Sequence, residues 1–141
     1  MFCDGSWGTF GAGAVAVLVA PSKVKTCFAV KLDFSCTNNI AEYEALLLGL
    51  RKLRAMGIRR AILKTDSQVI AGHVDKSSKA RDPKLEKYLD AVRRLEASFE
   101  GFSVKNIPRG ENEHADLLAK SAAQGLPLPS EVFFKAIRTE G

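Results

Sequence analysis

Apolar residues in the first third of the chain follow patterns that predict three β-strands. Phe2-Cys3-Asp4 is predicted to be a short strand, and Gly11 to Ala20 is almost continuously apolar, as expected of a buried strand. From Thr26 to Leu32 apolar and other residues alternate, which is the period of a strand with two different faces. The chain is therefore predicted to begin with three consecutive strands.

The next part of the chain changes to apolar spacings of three and four residues, which indicate helices. A long helix is predicted from an N-cap at Asn39 to a glycine stop at Gly57. A fourth strand follows at residues 61–65. A short helix is then predicted to open at Asp66 and to end near Val74.

Two more helices and one strand complete the pattern. Asp82 precedes a helix that has Pro83 at its first position, where proline is favoured. A fifth strand is predicted at residues 102–107. Asn112 is the predicted cap of a last helix, which ends near Ala123.

The element order βββαβααβα predicts an α/β fold with a five-stranded mixed sheet. Consecutive strands favour antiparallel pairing and strands separated by helices favour parallel crossovers, so three antiparallel strands precede two parallel ones, with helices on both faces. Residues 1–123 are predicted to be one domain. Glycine and prolines in residues 124–141 cannot continue a helix, so that segment is predicted to be a tail or linker.

Composition places the chain among ordinary globular domains, with 46% hydrophobic and 26% charged residues in 141. The net charge of +5 permits binding to a phosphate backbone without requiring it. No apolar run has membrane-spanning length and no leader precedes the first strand, so we expect an intracellular, cytoplasmic monomer that does not bind membranes. Cys3, Cys27 and Cys36 fit no metal spacing and are expected to be reduced thiols.

Four acidic residues stand at predicted strand ends or helix starts, namely Asp4, Glu42, Asp66 and Asp116. In a sheet whose strand ends meet at one edge, such positions predict a cluster of carboxylates. Divalent-metal catalysis uses a cluster of this kind, because Mg²⁺ prefers oxygen ligands from a few carboxylates and from substrate phosphate. Two such ions about 3.5–4 Å apart activate water and stabilise the leaving oxygen in phosphoryl transfer.

Each acid taken alone also has a purely structural interpretation. Asp4 fits a turn after a strand, Asp66 fits an N-cap, and Glu42 fits a capping box that begins at Asn39. Asp116 is harder to explain in this way, because it lies beside a small-residue helix face where burial of an unpaired carboxylate is costly. That face consists of Ala115, Ala119 and Ala123.

The strings around these acids, in this order, resemble those of type 1 ribonuclease H from Met1 to Ala123. They read Phe-Cys-Asp-Gly-Ser, Thr-Asn-Asn-Ile-Ala-Glu, Thr-Asp-Ser-Gln and Asn-Glu-His-Ala-Asp. Asp-Pro-Lys-Leu-Glu-Lys-Tyr-Leu and Ile-Pro-Arg-Gly-Glu-Asn are most similar to the ribonuclease H domain of plant long-terminal-repeat retrotransposon polyproteins. The resemblance leaves open whether the native domain is free or fused to a reverse transcriptase.

The resemblance implies an endonuclease that cuts the RNA strand of RNA–DNA hybrids and leaves 5′-phosphate and 3′-hydroxyl ends. It also implies two bound Mg²⁺ ions, for which Mn²⁺ substitutes. Asp4 is expected to bridge both ions, and Asp116 to hold the ion that carries the attacking water. Glu42 and Asp66 are expected to hold the ion on the leaving-group side.

Substrate contacts follow from the same resemblance. Gly5, Asn38, Asn39 and Gln68 match family positions that touch the substrate, where amide side chains read the minor groove and the 2′-hydroxyls of RNA. Thr37 matches a residue that contacts a phosphate of the DNA strand. A plain turn and helix cap is the alternative interpretation of the Thr-Asn-Asn stretch.

Two departures from the family pattern concern product release and hybrid affinity. The loop after the fifth strand lacks the mobile histidine of many members, and Arg109 is its candidate replacement, with an ordinary loop arginine as the alternative. His114 points about 200° away from Asp116 on its helix, and His73 is expected on a helix surface. The inserted basic helix of some members is absent, and a short loop with Lys76, Lys79 and Arg81 occupies its place.

Three other functions compete with this interpretation. An exonuclease or integrase-like nuclease on the same sheet needs its acids in different strings, such as Asp-x-Glu on the first strand. A non-catalytic hybrid- or RNA-binding module would carry a decayed site, although all four acids are present. A sugar-kinase-like nucleotide fold needs a second domain, which 141 residues do not supply.

Overall fold

The computed structural model of the chain describes residues 1–8, 11–34, 37–76, 82–129 and 131–137. Cys36, and Lys79 and Arg81 of the predicted basic loop, lie outside the described residues. Six strands form one mixed sheet. In chain order they are β1 (Phe2–Gly8), β2 (Gly11–Val19), β3 (Lys25–Leu32), β4 (Arg60–Thr65), β5 (Gly101–Asn106) and β6 (Val132–Ile137).

The strands are arranged across the sheet in the order β5-β4-β1-β2-β3-β6. β1, β2 and β3 pair antiparallel, as expected of strands joined by short connections. β4 pairs parallel with β1, and β5 pairs parallel with β4. The first strand therefore lies inside the sheet, between β4 and β2, and not at an edge.

Among the described residues, four α-helices cover the two faces of this sheet. They are α1 (Asn38–Ala55), α2 (Gln68–Val74), α3 (Pro83–Glu96) and α4 (Glu113–Gln124). A 3-10 turn, Arg109–Glu111, precedes α4. The predicted α/β class, with antiparallel followed by parallel strands and helices on both faces, is confirmed. Within the described ranges, no helix is both long enough and apolar enough to pass through a bilayer.

The number of strands differs from the prediction, because β6 lies in the segment that was expected to be a tail. β6 pairs parallel with β3 at the sheet edge, in a register that places Phe133 opposite Phe28. The two rings are stacked with centroids 5.2 Å apart. The prediction of a tail is therefore wrong for residues 132–137. Only three consecutive apolar residues marked this strand in the sequence, and prolines preceded them.

The alternating side chains of β2 divide the hydrophobic core between the two faces. Ala14, Ala16 and Leu18 pack on the side of α1 and α3, whereas Val15 and Val17 pack against α4. Both sets are buried, which explains why the sequence of this strand is apolar throughout instead of alternating.

Two helix starts differ from the predicted caps. The N-cap of α1 is Thr37, whose Oγ1 accepts a hydrogen bond from the Ile40 amide at 3.2 Å, and not Asn39. The N-cap of α2 is Ser67, so Asp66 is not the cap. Because neither Glu42 nor Asp66 satisfies a helix terminus, the structural interpretation of these two acids loses its basis.

Two glycines allow helices to approach the sheet more closely than any other residue would. A Cβ atom at Gly5 would lie 2.4 Å from the backbone of Ala41 and Glu42, so α1 rests directly on β1. A Cβ atom at Gly13 would lie 2.5 Å from the backbone of Ala119 and Ala123 in α4. Ala119 and Ala123 are buried, as the small-residue face predicted.

We expect Gly13→Ala to destabilise the protein, because the new methyl group meets helix backbone that cannot rotate away. Overpacking of this kind costs about 1–3 kcal/mol in the free energy of unfolding, measurable by urea denaturation. Gly110→Ala is the matched control, since nothing lies within 4 Å of its Cβ position. Equal stability of Gly13→Ala and the parent would contradict the close contact between α4 and β2.

Candidate active site

Three of the four predicted acids meet where β1, β4 and α1 come together. Phe2 is the register partner of Lys64 in parallel strands, so Asp4 comes level with Asp66 two residues further along. Glu42 reaches the same place from the first turns of α1, which Gly5 allows to lie against β1. One carboxylate oxygen from each of these three acids lies within 4.8 Å of the other two.

The carboxylates of Asp4 and Glu42 are buried and only partly satisfied. Their exposed fractions are 5% and 9%. Asp4 Oδ2 and Glu42 Oε2 are inaccessible to solvent and have no hydrogen-bond partner in the part of the chain that the structure describes. Buried polar atoms without partners are rare and costly, and a divalent cation is the group that carboxylate oxygens in this arrangement fit. Asp4, Glu42 and Asp66 are therefore a suitable ligand set for such an ion.

Asp116 lies beside this cluster, on the first turn of α4. Its carboxylate contacts Asp4 through a hydrogen bond. Its Oδ2 atom also pairs with Lys120 Nζ at 2.9 Å, one helical turn further along α4. The fourth acid is thus brought to the site, but a lysine neutralises it, whereas the other three face one another.

Burial and crowding control protonation of this cluster. Burial is the main cause that raises the pKa of Asp4 to about 8, and a hydrogen bond with Asp116 adds to the effect. Burial also raises the pKa of Glu42. For Asp116 burial acts in the same direction, but hydrogen bonds with Lys120 and Asp4 and the positive charges of Lys120 and Arg109 together outweigh it and lower the pKa below its usual value. Between Asp4 and Asp116, the proton therefore resides on Asp4.

The residues predicted to touch the substrate adjoin the acids in the chain. Asn38 is exposed. Its Nδ2 atom also donates a hydrogen bond to Glu42 Oε1 at 3.4 Å, so this amide orients the acid. Thr37 is exposed at the start of α1, and Asn39 is partly exposed. Gln68 is exposed at the first residue of α2, and Gly5 is buried beneath α1. Their contacts with substrate remain predictions.

Arg109 lies near the acids, as its candidate role requires. It is exposed in the 3-10 turn before α4, and its charge favours the ionised forms of Glu42 and Asp116. His114 is exposed on α4. The prediction that His73 lies on a helix surface is wrong, because it is buried with 7% of its surface exposed.

Sequence reasoning missed three residues that organise the site. Asn112 is buried, and its side chain does not cap α4. Its Nδ2 atom instead donates a hydrogen bond to the Cys3 carbonyl at 3.0 Å, which fixes α4 next to Asp4. The hydroxyl of Ser67 hydrogen-bonds Glu42. Lys120 pairs with Asp116, and only its spacing of four residues signals this in the sequence.

A family model and known proteins match this chain in sequence. A family model described as "Reverse transcriptase-like" matches residues 2–122. A protein of Halobacterium salinarum named ribonuclease HI is 35% identical over 86 residues, which is 61% of this chain and 43% of that protein. The matched stretch thus spans less than half of that relative.

Two solved structures show the same fold along most of the chain. The crystal structure of RNase H1 from Halobacterium salinarum gives a TM-score of 0.77 at 28% identity, covering 86% of this chain and 93% of that chain. The N-terminal RNase H domain of a Mycobacterium tuberculosis protein gives a TM-score of 0.75 at 28% identity, covering 85% and 88%.

In the absence of metal, we expect Asp4→Asn to stabilise the protein increasingly as pH rises. The raised pKa of Asp4 means that its contribution to stability is complete below about pH 4, the usual pKa of a carboxyl. That contribution is lost as pH rises through about 8. The asparagine variant has no such loss, so its melting temperature should exceed that of the parent by a margin that grows between these limits.

Thermal melts in chelator at several pH values test this expectation. Asp90→Asn, on the exposed side of α3, is the control and should show no such trend. A lower melting temperature for Asp4→Asn than for the parent at pH 8 would instead make Asp4 a structural residue that needs its charge.

Proposed function

Because the chain belongs to the type 1 ribonuclease H family, we propose that it is a metal-dependent endonuclease that hydrolyses the RNA strand of RNA–DNA hybrids. The observation that carries the proposal is the meeting of Asp4, Glu42 and Asp66 within 4.8 Å, with buried unpartnered oxygens on Asp4 and Glu42. The similar protein of Halobacterium salinarum is named ribonuclease HI, which supports this activity. We take residues 1–123 as the catalytic unit.

Four carboxylates are the proposed ligands of two divalent ions, with Mg²⁺ as the expected ion and Mn²⁺ as a substitute. Asp4 would help to hold both ions, Glu42 and Asp66 would hold one, and Asp116 would hold the other. When bound, such ions lower the pKa of a water molecule and neutralise charge that develops on the phosphate. The proposed products carry 5′-phosphate and 3′-hydroxyl ends.

Residues of the chain itself supply orientation and charge. Asn38 and Ser67 both hydrogen-bond Glu42, which limits the directions in which this carboxylate can point. Asn38, Asn39 and Gln68 offer amide groups that can hydrogen-bond the minor groove and the 2′-hydroxyl groups, which distinguish RNA from DNA. Thr37, at the start of α1, is the proposed contact with a phosphate of the DNA strand.

The resemblance to plant retrotransposon polyproteins supports a second proposal on origin. We infer that the native domain works next to a reverse transcriptase, which would produce the hybrid that this site consumes. The family description "Reverse transcriptase-like" is in keeping with this origin.

Cleavage of labelled hybrid should require divalent metal. Asp4→Asn should reduce the rate about a hundredfold or more, because asparagine keeps the shape of aspartate but not the charge that holds the ions. Hybrid, RNA duplex, DNA duplex and single-stranded RNA are each incubated with Mg²⁺, Mn²⁺ or chelator. Circular dichroism verifies that the variant is folded. Activity in chelator, or full activity of Asp4→Asn, would refute the proposal, and tight binding without cleavage would identify a non-catalytic module.

Arg109→Ala should lower turnover roughly tenfold, equivalent to about 1.4 kcal/mol in the barrier, with little change in hybrid affinity. The reason is that the positive charge near Glu42 and Asp116 no longer draws the cleaved phosphate away. Arg94→Ala, which removes an exposed arginine from α3, is the control. Steady-state kinetics at saturating hybrid decide, and parent-like turnover of Arg109→Ala would show that it is an ordinary loop residue.

A further inference from the structure

A buried pair of polar side chains joins α1 to α2 close to the active site. The Tyr43 hydroxyl and His73 Nδ1 are 2.6 Å apart, which is a short hydrogen bond. Tyr43 is fully buried, and its ring is stacked on that of His73 with centroids 6.0 Å apart. Tyr43 directly follows Glu42 in the chain, so the pair begins one residue from a proposed metal ligand.

The other partner of this bond belongs to a helix that starts at the site. α2 has seven residues and begins two positions after Asp66. At its start, the Ser67 hydroxyl accepts a hydrogen bond from the Ile70 amide at 3.1 Å and also contacts the Glu42 carboxylate. A helix this short is not stable alone. Its tertiary contacts therefore decide where its first turn lies.

Those contacts hold the C-terminal end of α2 from two sides. Near its C-terminus, the Arg93 guanidinium of α3 donates to the carbonyls of His73 at 2.8 Å and Val74 at 2.9 Å. Arg93 fixes the end of α2 against α3, whereas the Tyr43 hydroxyl fixes its orientation against α1. Arg93 binds backbone carbonyls, whereas Tyr43 binds the side chain of His73 and comes from the helix that carries Glu42.

The hydrogen bond between Tyr43 and His73 fixes the orientation of α2 relative to α1, which apolar packing alone would not do. A buried hydrogen bond adds little net stability, since both groups give up water to form it. Phenylalanine at position 43 could stack with the same neighbours, His73 and Tyr88. The hydroxyl adds a fixed distance and direction between the helix that carries Glu42 and the helix that follows Asp66.

We propose that Tyr43 and His73 are positioning residues whose hydrogen bond holds the Asp66–Gln68 corner against Glu42 and so sets the spacing of the metal ligands. This proposal rests on the proposed function, because it assigns the pair a role in that same metal site. Neither residue touches the ions or the substrate; both act through α2.

The test compares variants that remove the bond with one that removes a similar bond elsewhere. Tyr43→Phe and His73→Leu abolish the hydrogen bond, whereas His73→Asn keeps a polar atom near the position of Nδ1. Tyr88→Phe is the matched control, because the Tyr88 hydroxyl donates to Glu44 Oε1 at 2.6 Å and joins α1 to α3 instead of α2. Mn²⁺ affinity without nucleic acid, kcat and KM on hybrid, and urea stability are measured for each.

We expect Tyr43→Phe and His73→Leu to weaken Mn²⁺ binding by about tenfold, the scale seen when outer partners of metal ligands are lost. kcat should fall similarly with little change in KM, and His73→Asn should recover most of both losses. The double variant Tyr43→Phe/His73→Leu should bind Mn²⁺ no more weakly than the single variants, since they remove one shared bond. Tyr88→Phe should lose stability but keep the metal affinity of the parent.

Parent-like Mn²⁺ affinity in Tyr43→Phe, with a loss of stability like that of Tyr88→Phe, would overturn the proposal. If His73→Leu is too unstable to study, Tyr43→Phe and His73→Asn decide in the same way. A parent that binds Mn²⁺ but cleaves no hybrid would refute the proposed activity, while the comparison of affinities would still test the pair.

Discussion

The structure depends on the burial of one carboxylate, that of Asp4, on an inner strand of the sheet. An ionised carboxylate is costly to remove from water, and nearby acids increase the cost. The fold nevertheless brings helices close to it from both faces. Gly5 allows α1 to carry Glu42 onto β1, Gly13 allows α4 to lie against β2, and Asn112 ties the start of α4 to the carbonyl before Asp4. These contacts maintain a buried acidic cluster in which the protonated form of Asp4 is favoured.

The charges of the site are unevenly distributed. Asp116 has Lys120 beside it at 2.9 Å, and its pKa is lowered despite burial. Asp4 has no such partner among the described residues, and its pKa is raised to about 8 by burial and by its acidic neighbours. Protons and divalent cations therefore compete for the same oxygens, and the competition is decided near neutral pH. This links the unusual protonation of the cluster directly to metal binding.

Most helices and strands and the cluster of acids could be predicted from the sequence, because they depend on residues that are close together in the chain. Apolar spacing gave the helices and the first five strands, and the strings placed Asp4, Glu42 and Asp66 in one cluster, as the structure shows. β6 could not be predicted in this way, since it has only three consecutive apolar residues. It forms a strand because it pairs with the exposed edge of β3. His73 looked like a surface residue because its partner, Tyr43, is 30 positions away in sequence. Asn112 is the N-cap residue of α4, as predicted, but only the tertiary structure shows that its side-chain amide binds the Cys3 carbonyl and not the helix.

Counting protons shows whether a protonated and buried Asp4 gives up its proton to a divalent ion. Calorimetric titration of the protein with Mn²⁺ at pH 7, in two buffers that differ in ionisation enthalpy, gives the number released on binding. With the pKa of Asp4 at about 8, we expect release of about one proton by the parent and almost none by Asp4→Asn. Mn²⁺ binding by the parent without release of a proton would contradict it.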